Sequence, residues 1–178
     1  MQIRVARPED TEGIDRVVRG AFEEEGEVVR DLVHALQVES LQVGELCFVA
    51  IADREIMGYV GMGSMALSSP TDTFDILMLT PLAVDPEFQG RGIGRALVEA
   101  VVAGAEGRSE PLLHVEGWAD ARSVYARYFV SLPPELTPPP EAFMAEACQV
   151  RMLPSFDPEL HRGHLIYPEP VRLLNHQA

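Results

Sequence analysis

The sequence predicts an α/β (α+β) fold with a single mixed central sheet flanked by helices. Two observations carry that expectation. Apolar residues recur at helical spacing in some segments, while other segments are short apolar runs of strand length. The segments follow in the order strand, two helices, three strands, helix, strand, helix, strand, which suits helices layered on a sheet. With 178 residues, 47% of them hydrophobic, the chain is expected to form one domain over residues 1–178.

Gln2 to Ala6 reads as the first strand. Pro8-Glu9-Asp10 then starts a helix, with Ile14, Val17, Val18, Ala21 and Phe22 on one face. Glu23 to Gly26 interrupts it, and Val28, Val29, Leu32, Val33 and Leu36 repeat the period in a second helix. Residues 46–52 and Ile56 to Met65 form a hairpin about Asp53-Arg54-Glu55. Phe74 to Val84 is a further strand in which Pro81 removes a ladder donor, so a bulge or an edge is expected there. Ile93, Leu97, Val98, Val101, Val102 and Ala105 mark a helix, Pro111 to Val115 a buried strand, and Ala121 to Phe129 a short helix. Residues 131–178 read as a Pro-rich loop (Ser131 to Pro140) followed by C-terminal strands at Ala142 to Val150 and His164 to Tyr167.

The composition excludes several functions. All 14 basic residues are Arg, set against 28 acids, for a formal charge of -14. Without Lys there is no P-loop and no Schiff-base chemistry. So acidic a chain is a poor partner for nucleic acid and a better one for cations such as protonated amines. Cys47 and Cys148 lie far apart among apolar residues, which suggests buried free thiols rather than a disulfide or a zinc site. No metal is expected. The N-terminus carries Arg4, Arg7, Glu9 and Asp10 and does not resemble a signal peptide, and no apolar stretch is long enough to span a bilayer. A cytoplasmic protein without membrane association is the expectation.

The informative stretch is LAVDPEFQGRGIGRALV, residues 82–98. A strand ends, a loop turns, and a helix begins within the glycines. Gly90, Gly92 and Gly94 strip side chains from the turn, so backbone N–H groups can converge on an anion at the positive end of the helix. Arg91 and Arg95 can add charge-assisted bonds, which suits a pyrophosphate. The dinucleotide spacing G-x-G-x-x-G fails, because its last glycine would fall on Arg95 or Leu97. The pattern Q/R-x-x-G-x-G/A fits, with Gln89, Gly92 and Gly94 in its fixed positions.

On these residues the chain resembles the GNAT superfamily of acyl-CoA-dependent N-acetyltransferases. PLAVD, AFMA and GHLIYPEPV also look like a subgroup of bacterial acetyltransferases. The resemblance implies a mostly antiparallel sheet, the acyl-CoA N-acyltransferase fold, and acetyl-CoA as acyl donor. It implies that Gln89, Gly90, Arg91, Gly92, Ile93, Gly94 and Arg95 hold the coenzyme pyrophosphate, and that Leu82, Ala83 and Val84 face the pantetheine arm. It further gives the Val84 N–H an oxyanion contact, and Tyr125 the role of acid toward the departing thiolate. Tyr125 is equally readable as a core tyrosine. Here Tyr128-Phe129-Val130 stands where the family continues with an aromatic residue, Gly and Phe.

The general base has several candidates. Glu116 and Asp75 sit at strand ends, and His114 has a suitable titration range but reads more readily as core. Glu23, Glu24, Glu25 and Glu27 form either a solvated face or a site for an ammonium group. The expected activity is transfer of an acetyl group from acetyl-CoA to a primary amine, on a small molecule or a protein, by direct attack in a ternary complex. A non-catalytic acyl-CoA-binding or sensing domain is the alternative. Nothing resembles a Ser-His-Asp or Cys-His set for hydrolysis. A homodimer is compatible with the family.

Overall fold

The computed structural model describes residues 1–117 and 122–175. Its elements run β1 (Gln2–Val5), α1 (Thr11–Phe22), α2 (Gly26–Val38), β2 (Phe48–Ala52), β3 (Glu55–Ser68), β4 (Thr73–Val84), α3 (Ile93–Ala105) and β5 (Leu112–Glu116). They continue with α4 (Arg122–Tyr125), β6 (Val130–Ser131), β7 (Leu136–Thr137), β8 (Cys148–Met152), β9 (Gly163–Ile166) and α5 (Glu169–Asn175). The strands make a mixed, mostly antiparallel sheet flanked by helices, with parallel pairing at β4–β5 and β7–β9. No helix among the described residues is long and apolar enough to cross a membrane.

The residues fall into two compact units, Met1–Met62 with Thr80–Gly104, and Gly63–Leu79 with Ala105–Ala178, so β3 and β4 each run through both. In the first unit β1 lies antiparallel to β2, from Gln2↔Ile51 to Val5↔Phe48. A two-residue turn joins β2 to β3, with Asp53 and Arg54 both at positive φ, as a tight hairpin requires. Most of the apolar stripes read from the sequence are buried: Ile14, Val17 and Val18 of α1, Val29, Leu32, Val33 and Leu36 of α2, and Ile93, Leu97, Val98 and Val101 of α3; Ala21 and Phe22 are half-buried and Val28 is exposed. Helix α3 lies directly on β3 at Gly58, where an added Cβ would sit 3.0 Å from Ile93 Cγ2 and from Leu97 Cδ1.

In the second unit β5 pairs in parallel with β4 at Leu77↔Leu113 and Met78↔His114. On its other side it runs antiparallel to β8, from Leu112↔Met152 to Glu116↔Cys148. Strand β9 pairs with the Ala66–Ser68 end of β3. The strand expected over Ala142 to Val150 begins instead at Cys148 and extends to Met152. The Met144 N–H is taken by the Glu116 carboxylate and Ala145–Ala147 coil into a 3-10 turn, whose last residue still accepts the Gly117 N–H at 3.1 Å beyond the end of the ladder. The Pro-rich segment contributes the two short strands β6 and β7. The helix expected over Ala121 to Phe129 is one turn, Arg122–Tyr125, and residues 119–121 lie outside the described residues. Helix α5 was not expected, because seven residues hold too little of a period to register.

Leu97 is fully buried, on the α3 face that meets β3. We expect Leu97→Ala to lower the unfolding free energy by about 2–5 kcal/mol, measured by denaturant titration.

Candidate functional site

The turn between β4 and α3 is held from behind. Asp85 directly follows β4, and its N–H donates to Met57 C=O of β3, closing the ladder. Its Oδ1 accepts the Glu87 N–H at 3.1 Å, capping a 3-10 turn over Pro86–Phe88. Its other carboxylate oxygen accepts from Arg16 of α1, which also donates to Ile56 C=O at 2.7 Å. Gln89 Nε2 donates to Val84 C=O at 3.1 Å and ties the far side of the turn to the strand end.

Gly90 and Gly92 follow in the left-handed region, at φ 73° and 81°, and a Cβ on either would meet no atom within 4 Å. Side chains rarely adopt that backbone, and a bare, open face results. The first helical bond described in α3 runs from Ala96 N–H to Gly92 C=O, at 3.0 Å. The N–H groups of Ile93, Gly94 and Arg95 therefore precede any intrahelical acceptor and lie at the positive end of the helix. Gly94 differs from the other two glycines: it is helical, and a methyl there would make ordinary contact with Val84 Cγ2 at 3.6 Å. Arg91 is exposed, donates to Glu87 C=O at 3.0 Å, and stacks over the Phe88 ring. Arg95 is exposed and pairs with Glu99 at 3.0 Å.

The strand side of the turn follows from peptide geometry. The Asp85 N–H points to β3, so the Val84 C=O across the same trans peptide points away from it. In extended backbone the Val84 N–H points the same way. The described β4–β5 ladder ends at Met78↔His114, before Pro81, Leu82, Ala83 and Val84 are reached. Pro81 thus sits in an unbroken strand, but past the last β5 pair, as an edge position would require. Leu82 and Val84 are half-buried and Ala83 is buried.

The second unit gathers a different group. Side chains at alternate positions share a strand face, so His114 and Glu116 point the same way from β5. Glu116 Oε1 accepts the Met144 N–H at 2.8 Å, and Oε2 accepts the Tyr167 hydroxyl at 2.7 Å. His114 is fully buried, and neither ring nitrogen has a partner among the described residues. Its ring packs edge-on against Tyr167 with centroids 5.7 Å apart. Burial alone lowers its pKa to about 3, so it packs as a neutral aromatic. Tyr125 packs against Gly117, where a Cβ would lie 2.8 Å from Tyr125 Cδ2, and edge-on against Phe129. Burial pushes its hydroxyl well above the ordinary tyrosine value.

Similarity to known proteins agrees with this geometry. Residues 43–128 match the family model described as an acetyltransferase (GNAT) domain. The crystal structure of the GNAT family N-acetyltransferase YhbS from Escherichia coli, in complex with CoA, superposes with a TM-score of 0.80. It has 25% sequence identity and covers 96% of this chain and 91% of that one. Over these residues the chain is similar to members of the GNAT superfamily. A curated Escherichia coli K12 protein, "Uncharacterized N-acetyltransferase YhbS", is 34% identical over 99 residues, 55% of this chain and 56% of that protein. The match thus spans about half the length of that curated relative. A GNAT family acetyltransferase from Brucella melitensis, in complex with acetyl-CoA, has the same fold at a TM-score of 0.69 and 21% identity, covering 96% and 97% of the two chains.

In this chain the first unit holds every residue expected on the coenzyme side, from Leu82 to Arg95, and the second holds Tyr125 and Glu116. Asp75 is not brought to Glu116. It lies two residues before the β4–β5 ladder begins, and Glu116 lies two residues after it ends. Glu23, Glu24, Glu25 and Glu27 are exposed around a 3-10 turn, with Glu27 paired to Arg19 at 2.7 Å. Sequence reasoning missed Arg16, whose partner Asp85 is 69 positions away. It also missed Tyr167, whose partner Glu116 is 51 positions away. Neither pairing leaves a local pattern in the chain.

His114 makes stability depend on pH. Its value is about 3 when folded and near 6.5 when unfolded, so between those limits the unfolded chain binds a proton that the folded chain does not. Stability is therefore lost as pH falls below 6.5, by about 1.4 kcal/mol per unit from this group. Denaturant titrations at pH 7 and pH 5 should show a smaller loss in His114→Leu than in the wild type, by about 2 kcal/mol.

Proposed function

We propose that this protein is an N-acetyltransferase that moves the acetyl group of acetyl-CoA to a primary amine by direct attack in a ternary complex, as one domain over residues 1–178. The observation that carries the reading is the β4–α3 turn. Left-handed Gly90 and Gly92 leave an open face in front of the Ile93, Gly94 and Arg95 N–H groups. Such a cradle suits the negative diphosphate of coenzyme A and offers nothing specific to an uncharged ligand. The CoA and acetyl-CoA complexes of the family relatives support the same donor.

The roles follow from the chemistry. Gln89 to Arg95 bind the pyrophosphate through main-chain N–H groups, with Arg91 and Arg95 adding positive charge at the rim. Leu82, Ala83 and Val84 accompany the pantetheine arm. The Val84 N–H, directed away from β3, is the donor for the thioester carbonyl as it gains negative charge. The amine nitrogen forms the new C–N bond while the C–S bond breaks. Tyr125 gives the departing sulfur its proton; burial keeps that hydroxyl protonated and at the same time makes it a weaker acid, so the role rests on the family resemblance rather than on the raised pKa. Glu116 receives the proton of the incoming ammonium. The acceptor is cationic, in keeping with a chain of net charge -14. The protein acts in the cytoplasm.

Two measurements test this. Acetyl-CoA should bind in calorimetric titration, and Gly92→Trp should weaken binding at least about tenfold, because any side chain at φ 81° is strained and an indole fills the cradle. Undiminished binding by that variant would exclude the turn as the donor site. Tyr125→Phe should lower kcat for amine-dependent thiol release by about a hundredfold, with little change in KM for acetyl-CoA. Wild-type turnover would leave Tyr125 as a packing residue. Binding without any amine-dependent thiol release would favour the acyl-CoA sensor, a reading supported by the closure of the Tyr125 ring over Gly117.

A further inference from the structure

The second unit contains an arrangement that neither family resemblance nor the coenzyme turn accounts for. Glu116 ends β5 with a flexible side chain, yet two donors from separate parts of the chain hold its two oxygens, the Tyr167 hydroxyl just after β9 and the Met144 N–H before β8. Glu116 itself is half-buried and open to an incoming group, whereas Tyr167 is 3% exposed and His114 is fully enclosed. The Tyr167 ring is set edge-on by His114, a histidine with no hydrogen bond of its own among the described residues. A phenylalanine would pack against His114 as well as a tyrosine does, so the hydroxyl is explained by the carboxylate it reaches. Cys148, opposite Glu116 in the β5–β8 register, keeps its proton, with a pKa pushed up to about 12 chiefly by burial and next by the Glu116 charge. Each Glu116 oxygen retains a further lone pair for an outside N–H donor.

We propose that Tyr167 is a positioning residue for the transfer reaction, fixing the Glu116 carboxylate in the orientation in which it takes the proton of the acceptor ammonium. The inference rests on the acetyl-transfer reading. In the step, an ammonium N–H bond breaks and its proton passes to a Glu116 oxygen. The freed nitrogen lone pair then forms the C–N bond, the thioester sulfur leaves with the C–S electron pair and takes the Tyr125 proton, and the second proton of the nitrogen replaces it on Tyr125, leaving a neutral amide, a thiol and one proton on Glu116.

The test is a kinetic double-mutant cycle on the full-length protein, using acetyl-CoA and a panel of primary amines (free lysine, a polyamine and an aminoglycoside) with thiol release as readout. Tyr167→Phe should lower kcat about tenfold, Glu116→Gln should lower it further, and Tyr167→Phe in the Glu116→Gln background should add almost nothing. Calorimetric affinity for acetyl-CoA and the melting temperature should stay close to wild type in Tyr167→Phe, separating orientation from folding and donor binding. Losses that multiply in the double variant, or a Tyr167→Phe enzyme as fast as wild type, overturn the inference and leave the acetyl-transfer reading standing. Acetyl-CoA binding by the wild type with no thiol release toward any amine overturns both.

Discussion

The Asp85 carboxylate is the contact on which the candidate site depends. It caps the 3-10 turn through the Glu87 N–H and is gripped by Arg16, while its own N–H finishes the β3 ladder. A buried carboxylate needs such partners, and here each partner belongs to a different element. Because helix α1, strand β3 and the turn all meet at one residue, the first and last at its carboxylate and β3 at its N–H, the chain leaves β4 in a single direction. Gly90 and Gly92 then carry it into α3 with its leading N–H groups outward. The proposed anion cradle thus depends on how a strand end is pinned, and the bonds of Gln89 and Arg91 within the turn add to that support.

In the proposed reaction the second unit has a different task, that of keeping the acid Tyr125 and the base Glu116 distinct. Tyr125 is enclosed and keeps its proton because burial disfavours the phenolate. Glu116, one residue from the glycine that Tyr125 covers, stays partly open and has a hydrogen-bond donor on each oxygen. The two groups differ through their surroundings rather than their separation in sequence, which suits paired proton transfers.

Much of this was legible in the chain because it is local. The helical stripes, the Asp53-Arg54 hairpin and the glycine turn each declare themselves within a dozen residues, and the structure places all of them. Strand β8 was misplaced because AFMAEACQV has strand-like composition throughout. What ends the strand is the Glu116 carboxylate capturing the Met144 N–H, a contact 28 positions away. The same reason hid Arg16 and Tyr167: an ion pair or hydrogen bond between distant positions has no period. Gly94 reads like its neighbours in the motif but lies inside α3, and only the backbone angles separate close helix packing from a left-handed turn.

The two cysteines have a practical corollary. Both thiols are enclosed and held in the protonated form, since burial raises each above its usual value. Thiolate is the species that attacks disulfide reagents. The native protein should therefore contribute little colour of its own to such a reagent, and coenzyme freed by turnover would stand out against a quiet background. Once the chain opens, both sulfurs become reactive, so the same reagent doubles as a clock for global unfolding.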